Sequence, residues 1–418
     1  MKRGRRGGAR ALASVFTAAS LALAAPAAAA PVRFIATGDF GEGNHGQYRV
    51  AKAMEFVCDD PQHGRGCDFV LGLGDNIYDI GVANTSDQQF QTKFELPYAA
   101  LARTWYMTLG NHDNSHDPVI NSAVGDAIAT VAEEIRGVGA GHWYEAGNRE
   151  VAYTAVDAET PDGSEWYMPA RFYDFTKSEG DVEFFALDTN TLMYMGVPFP
   201  PIAATIEEQI SAVVERQEIW IRKELADSTA TWKIVFGHHP YRSNGEHGNA
   251  GFYEGAPMTP ISGPYVKLFY EQFVCGKADL LIVGHDHDLQ FLRPLQSCGA
   301  MPFIVSGAGA KTRHFATHGE GQYVLAEENR DPYWARDDTL GFFWLEIEGA
   351  KLRVVTYLVH EPTYDPAEAA DPAPDHLISG VPVRNGDGDV HTETIQMRKA
   401  YDRCFEKGAG GLTELPSC

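Results

Sequence analysis

The sequence predicts an α/β fold, and three observations carry that prediction. Short apolar runs recur along the chain, each closed by a glycine; helical stretches lie between them; and a polar, chemistry-bearing residue follows each glycine. Uninterrupted apolar runs of this length suit strands buried on both faces. Alternation with helices gives α/β layering, and the ends of buried strands are where such sheets place ligands. At 44% apolar and 22% charged, the 418 residues have ordinary globular composition, which excludes collagen, a long coiled coil or disorder for the chain as a whole.

The elements follow in order. Lys2, Arg3, Arg5, Arg6 and Arg10 precede an alanine-rich apolar run over 11–25, and small residues at 27–30 offer a cleavage site. This predicts an export signal over residues 1–30, with Arg5-Arg6 as an incomplete twin-arginine pattern, and a periplasmic or secreted protein. No later segment reaches 18 uninterrupted apolar residues, so no membrane partner is expected once the signal is removed. Strands are predicted over 32–36, 69–73, 105–109, 233–236, 280–283 and 303–305, and an antiparallel pair over 342–347 and 353–358. Helices are predicted over 48–57 and 206–226. The catalytic domain is expected to span 31–360. Residues 361–418 form a C-terminal extension, of which 361–383, rich in Pro, Ala and Asp, reads as a surface-lying stretch or linker. The acidic run 385–389 hints at a calcium loop, but Val390 and Gln396 stand where the turn glycine and bidentate glutamate belong, so a polar turn is expected.

Six cysteines without a Cys-x-x-Cys pair argue against a thiolate zinc site, and their even number favours disulfides. Nearest-neighbour pairing (Cys58–Cys67, Cys275–Cys298, Cys404–Cys418) is expected because those loops are short. The net charge of −23 repels nucleic-acid backbones and anionic lipid, so neither is expected as a partner. A phosphate substrate needs a local cation to draw it in.

Five strand ends carry the chemistry. Asp39 sits in Gly38-Asp39-Phe40-Gly41, and Asp75 opens Gly74-Asp75-Asn76-Ile77-Tyr78. Asn111 and His112 lie in Gly110-Asn111-His112-Asp113, His238 follows Val235-Phe236-Gly237, and His285 and His287 share Gly284-His285-Asp286-His287. These carboxylate, phenolate, amide and imidazole groups suit hard or borderline cations. Alone, a Gly-Asp turn is ordinarily a turn aspartate, and Tyr78 alone would be a packing residue. Five such signals in order, each behind a buried apolar run, point to a metal site.

This order of motifs resembles that of the purple acid phosphatases, especially the small tartrate-resistant type, within the calcineurin-like metallophosphoesterases. The stretches 73–82, 187–189, 284–292 and 306–309 are similar as well, and the likeness covers roughly residues 32–358. The resemblance implies a four-layer sandwich of two mixed β-sheets flanked by helices, with a dinuclear metal site at the strand C-terminal ends. It implies Fe(III) held by Asp39, Asp75, Tyr78 and His287, and a divalent Fe, Zn or Mn held by Asp75, Asn111, His238 and His285. His112 is then the group that protonates the leaving alcohol, with Asp113 orienting or charging it, and His247 a second histidine near the leaving group. His239 is read as a packing residue. The implied activity is an exported phosphomonoesterase of acid phosphatase type, acting on small phosphate esters by in-line attack of a metal-bound hydroxide. A phosphodiesterase is the alternative, decided by loops 114–142 and 190–205, and an inert periplasmic metal-binding protein is a second alternative. A monomer is expected.

Overall fold

A computed structural model describes residues 30–114, 143–158, 164–195, 204–255, 262–316, 331–367, 371–384 and 390–418. The expected signal, the greater part of loop 114–142, residues 196–203 and the acidic run 385–389 lie outside the described residues. Two mixed sheets stack face to face. In the first, β1 (Val32–Thr37), β2 (Phe69–Gly72), β3 (Thr104–Met107) and β4 (Glu165–Tyr167) run parallel. On the other side of β1 lie β12 (Leu340–Glu348), β13 (Lys351–His360), β15 (Val390–Gly408) and β14 (His376–Arg384), all antiparallel, with β16 (Gly411–Glu414) on β15. The second sheet has the order β11-β9-β10-β8-β7-β6-β5. Its strands are β5 (Tyr173–Lys177), β6 (Val182–Ala186), β7 (Trp232–Phe236), β8 (Leu280–Val283), β9 (Leu289–Leu292), β10 (Phe303–Ser306) and β11 (Pro332–Arg336), of which β6, β7, β8 and β10 are parallel neighbours.

The two-residue period of a strand explains why the second sheet is apolar throughout. Phe184, Ile234, Phe236, Leu280, Ile282 and Ile304 join the core shared with the first sheet. Their neighbours Phe185, Val235, Leu281, Val283, Phe303 and Val305 join a second core with Ile210, Val214, Ile221 and Leu225 of α3 (Ala204–Asp227). Phe34 and Phe69 of the first sheet meet Phe184 of the second edge-on, at 5.3 and 5.4 Å between ring centroids. Helix α1 (His45–Asp59) lies against β12, β13 and β14. The layers are therefore helix, sheet, sheet, helix.

The predicted strands and both helices are present, with bounds moved by at most two residues at the strands and three at the helices. Helix α2 (Trp143–Asp157), β4, β5, β6, β9 and β11 were not read from sequence. The linker reading of 361–383 needs correcting, because His376–Arg384 is strand β14 and pairs with β15. The three expected disulfides form. No described helix is long and apolar enough to cross a membrane.

Candidate active site and metal centre

The parallel strands of both sheets release their C-terminal ends toward one place. Asp39 follows β1, Asp75 β2, Asn111 and His112 β3, His238 β7, and His285 and His287 β8. Hydrogen bonds between strand ends lock this meeting point: Gly38 N–H donates to Ser306 at 2.8 Å, Asp39 N–H to Gly74 at 3.0 Å, and Gly284 N–H to His238 at 3.1 Å. Gly74 has φ +85°, and a Cβ there would lie 2.7 Å from His238 Nδ1 and 2.8 Å from Gly110 N. Only glycine fits. Asp39, Asp75 and His285 themselves hold φ of 57°, 52° and 72°. Such left-handed backbone at residues with side chains costs of order 1 kcal/mol each and concentrates at functional sites.

The side chains converge. Tyr78 Oη lies 2.7 Å from Asp75 Oδ2, 3.0 Å from Asp39 Oδ1 and 3.3 Å from His287 Nε2. His238 Nε2 lies 3.0 Å from Asn111 Oδ1, 3.1 Å from His285 Nδ1 and 3.5 Å from Asp75 Oδ1. Asp75 thus touches both halves of the cluster. His238 Nδ1 meets the Leu73 carbonyl at 2.8 Å, so it carries a proton, and in the form that binds metal Nε2 offers a lone pair. That lone pair faces carboxylate and amide oxygens and another ring nitrogen. Electron-pair donors packed this closely are what a cation reconciles, so the residues fit a metal centre.

The electrostatics agree. Burial pushes Asp39 up to about 7, with the Asp75 charge adding to the shift. Burial would raise Asp75 too, but His238 and His112 outweigh it and hold the carboxyl well below its usual range. Burial, then the Asp39 and Asp75 charges, push the Tyr78 phenol far up, so a phenolate there needs a cation beside it. Burial also holds His285 and His287 well below the ordinary imidazole value, which keeps both rings neutral, the form that binds metal.

Around this cluster stand the other candidates. His112 Nδ1 lies 2.7 Å from the Asp79 carbonyl, and Nε2 lies 4.0 Å from Asp75 Oδ2 on a partly exposed ring. Asp113 is buried, and its oxygens accept from Ile77 N–H (3.0 Å), Gly110 N–H (2.7 Å) and the Asn76 amide (3.0 Å). It fixes the turn that carries His112, whereas the expectation had it orient the ring, a place taken by Asp79. The His247 ring stacks on His285 at 4.1 Å, its Nδ1 meets Glu254, and its Nε2 accepts from Arg313 Nη1 at 2.8 Å. Burial lowers the His247 value and Glu254 raises it, to a net of about 9. An accepting Nε2 nevertheless requires the neutral ring, so we read Nδ1–H donating to Glu254 and Nε2 bare.

Sequence reasoning did not single out several neighbours. His239, read as packing, is buried beside His285 (ring centroids 4.5 Å) with Nδ1 2.9 Å from Thr189 Oγ1, and it offers a ligand atom within 4.8 Å of those of His238 and His285. Glu150 is buried behind Asn76, at 3.2 Å, and is pushed far up by burial and Asp113. Arg313 and Lys311 come from the loop after β10; the signal for them was their place just behind the Ser306-Gly307-Ala308-Gly309 stretch.

Two mixed sheets whose facing strand ends present acids, an amide, a phenol and imidazoles define a metallophosphoesterase. The chain belongs to the calcineurin-like phosphoesterase family, whose model matches residues 32–289. Purple acid phosphatase 3 of Arabidopsis thaliana is 29% identical over 331 residues, 78% of this chain and 74% of that protein. Tartrate-resistant acid phosphatase type 5 of Oryctolagus cuniculus is 27% identical over 344 residues, 78% of this chain and 87% of that protein. Among solved structures, GAP50, the anchor in the inner membrane complex of Plasmodium, superposes with a TM-score of 0.51 at 18% identity, over 88% of this chain and 90% of that one. PhoD gives 0.51 at 15% identity over 94% and 73%. Those two likenesses speak for the fold alone. Family and relatives together make the chain a phosphoesterase-type hydrolase and imply a dinuclear metal centre.

Proposed function

We propose that the chain is an exported acid phosphatase that hydrolyses small phosphate monoesters, with Fe(III) beside a divalent Fe, Zn or Mn. One observation carries the reading: Asp39, Asp75, Tyr78, Asn111, His238, His285 and His287 gather at the seam of the two sheets, and His112 stands beside them on a partly exposed ring. Asp39, Asp75, Tyr78 and His287 would hold the trivalent ion, for which an anionic phenolate is suited; Asp75, Asn111, His238 and His285 would hold the divalent one. When bound, the metals polarise phosphate oxygens and acidify water, the trivalent ion more strongly, which suits work at acid pH. His112, anchored through Nδ1, presents Nε2 to give a proton to the leaving alcohol. Asp113 positions the turn beneath it, and His247 lies on the leaving-group side. Three disulfides support an oxidising compartment.

The test is metal analysis of native protein alongside phosphate release from nitrophenyl phosphate and its bis-ester across pH. Iron with a second metal, an acid optimum and preference for the monoester are expected, and Tyr78→Phe should abolish visible absorption. Preference for the bis-ester makes the chain a diesterase. A colourless, active wild type removes iron from the Tyr78 site, and full metal loading without hydrolysis of either ester leaves a metal-binding protein.

A further inference from the structure

The loop after β10 brings two cations to the site, and they are not alike. Lys311 is committed: its Nζ lies 2.7 Å from Glu42 Oε1 and 3.3 Å from the Tyr78 ring centroid. Arg313 is held differently. Its N–H donates to the His287 carbonyl at 3.0 Å, and its Nη1 donates to His247 Nε2 at 2.8 Å. Among the described residues no carboxylate pairs with it. Glu254, whose field it shares, is bound to the far nitrogen of the His247 ring. A guanidinium carries five N–H donors, and one of them is spent on the imidazole. In a chain of net charge −23, with acids plentiful elsewhere, a half-buried arginine without one stands out.

Position narrows what the free donors meet. The His247 ring stacks on His285 at 4.1 Å and Arg313 donates to its Nε2, while the Arg313 backbone bonds the His287 carbonyl and its charge acts on His287, so its guanidinium borders the metal-ligand cluster behind the His247 ring. A phosphate bound at the cluster would have its charge matched there, which leaves Arg313 for what that phosphate carries. The planar fork fits a carboxylate or a second phosphate in two parallel hydrogen bonds. We propose that Arg313, braced by His247, is a subsite for a second anionic group on the leaving-group side. The preferred substrates are then phosphate esters whose alcohol bears a further phosphate or carboxylate. This inference rests on the reading of the site as a phosphomonoesterase and names its substrate class.

Binding tests it apart from turnover. Calorimetry on the metal-loaded full chain compares benzylphosphonate with 4-carboxybenzylphosphonate, neither of which can be hydrolysed. Wild type should bind the carboxylated compound roughly tenfold tighter, the scale of one charge-assisted hydrogen bond. Arg313→Gln should erase that preference while leaving benzylphosphonate within about twofold, and Arg313→Lys should keep part of it. Equal affinity of wild type for the two compounds overturns the proposal. Equal weakening of both by Arg313→Gln also overturns it, by placing Arg313 on the transferred phosphate. Hydrolysis of nitrophenyl phosphate on the same preparation separates the two readings: preference without hydrolysis sinks the enzyme assignment and keeps the subsite, and hydrolysis without preference does the reverse.

Discussion

His112 is the residue at which the proposed proton transfer can be tested apart from metal binding. Its Nδ1 is tied to a backbone carbonyl and its backbone N–H donates to Asp75 Oδ1 at 3.0 Å, so the ring can be changed with the ligands left in place. His112→Gln should lower kcat on an alkyl phosphate by roughly a hundredfold or more, the usual contribution of a positioned proton donor. The loss on nitrophenyl phosphate, whose leaving group needs no proton, should be much smaller, while metal content stays at the wild-type level. Similar losses on both esters would take the proton-donor role away from His112. The glycines are a second residue-scale case. A Cβ at Gly110 would lie 2.2 Å from Asp75 Oδ1 and 2.3 Å from the Asp75 backbone N, so Gly110→Ala should cost both metal occupancy and stability, read by metal analysis beside thermal unfolding. At this scale the residues that gather at the strand ends were legible because each apolar run that leads to them closes on a glycine. Arg313, Glu150 and His239 were not, because their roles depend on tertiary partners: Arg313 meets His247 across 66 positions, and Glu150 meets Asn76 across 74.

Among the elements, β15 shows what pattern reading loses. Ile395, Met397 and Phe405 are all buried, but a bulge opposite Thr356 and Tyr357 skips Ala400, so Phe405 lies on the opposite face from Ile395 and Met397 and meets Phe291 of the second sheet. The strand also carries an ion-pair hub. Asp402 meets Arg353 through two bonds of 2.8 Å, Lys399 at 3.0 Å and Arg65 at 3.2 Å. Burial would raise Asp402, but the bonds from Arg353 and Lys399 outweigh it and bring the carboxyl to about 2. Because the folded value lies below the unfolded 3.8, the unfolded chain binds the extra proton between those values, so stability rises with pH across that window. The contribution is complete above about pH 4 and lost as pH falls toward 2. Asp402→Asn should cost about 1 kcal/mol at pH 6, modest because the hub is partly open to solvent. It should cost less near pH 2.5, where the wild-type carboxyl is itself partly protonated. Urea unfolding at the two pH values checks this, and an equal cost at both would remove the hub from the acid response.

At the scale of the molecule, the metal-ligand cluster spans both sheets, with Asp39, Asp75, Tyr78 and Asn111 on one side and His238, His285 and His287 on the other. Cations bound there would favour the folded form, because the unfolded chain has no such assembled site. Removing them with a chelator should lower Tm by about 5–10 °C in calorimetry, and restoring metal should recover it. An unchanged Tm would mean that the sheets hold together without that bridge. The α/β class could be anticipated from buried strands alternating with helices and the two sheets from the resemblance, but which strand neighbours which could not, because pairing leaves no mark in hydrophobic period. The most distant pairing has its own consequence. Val32 of β1 lies opposite Ile347 of β12, with β1 in the interior of its sheet. A ribosome must therefore deliver most of the polypeptide before the first strand gains one of its two neighbours. Closing so long a loop is slow, so the pairing of β1 with β12 comes late in folding.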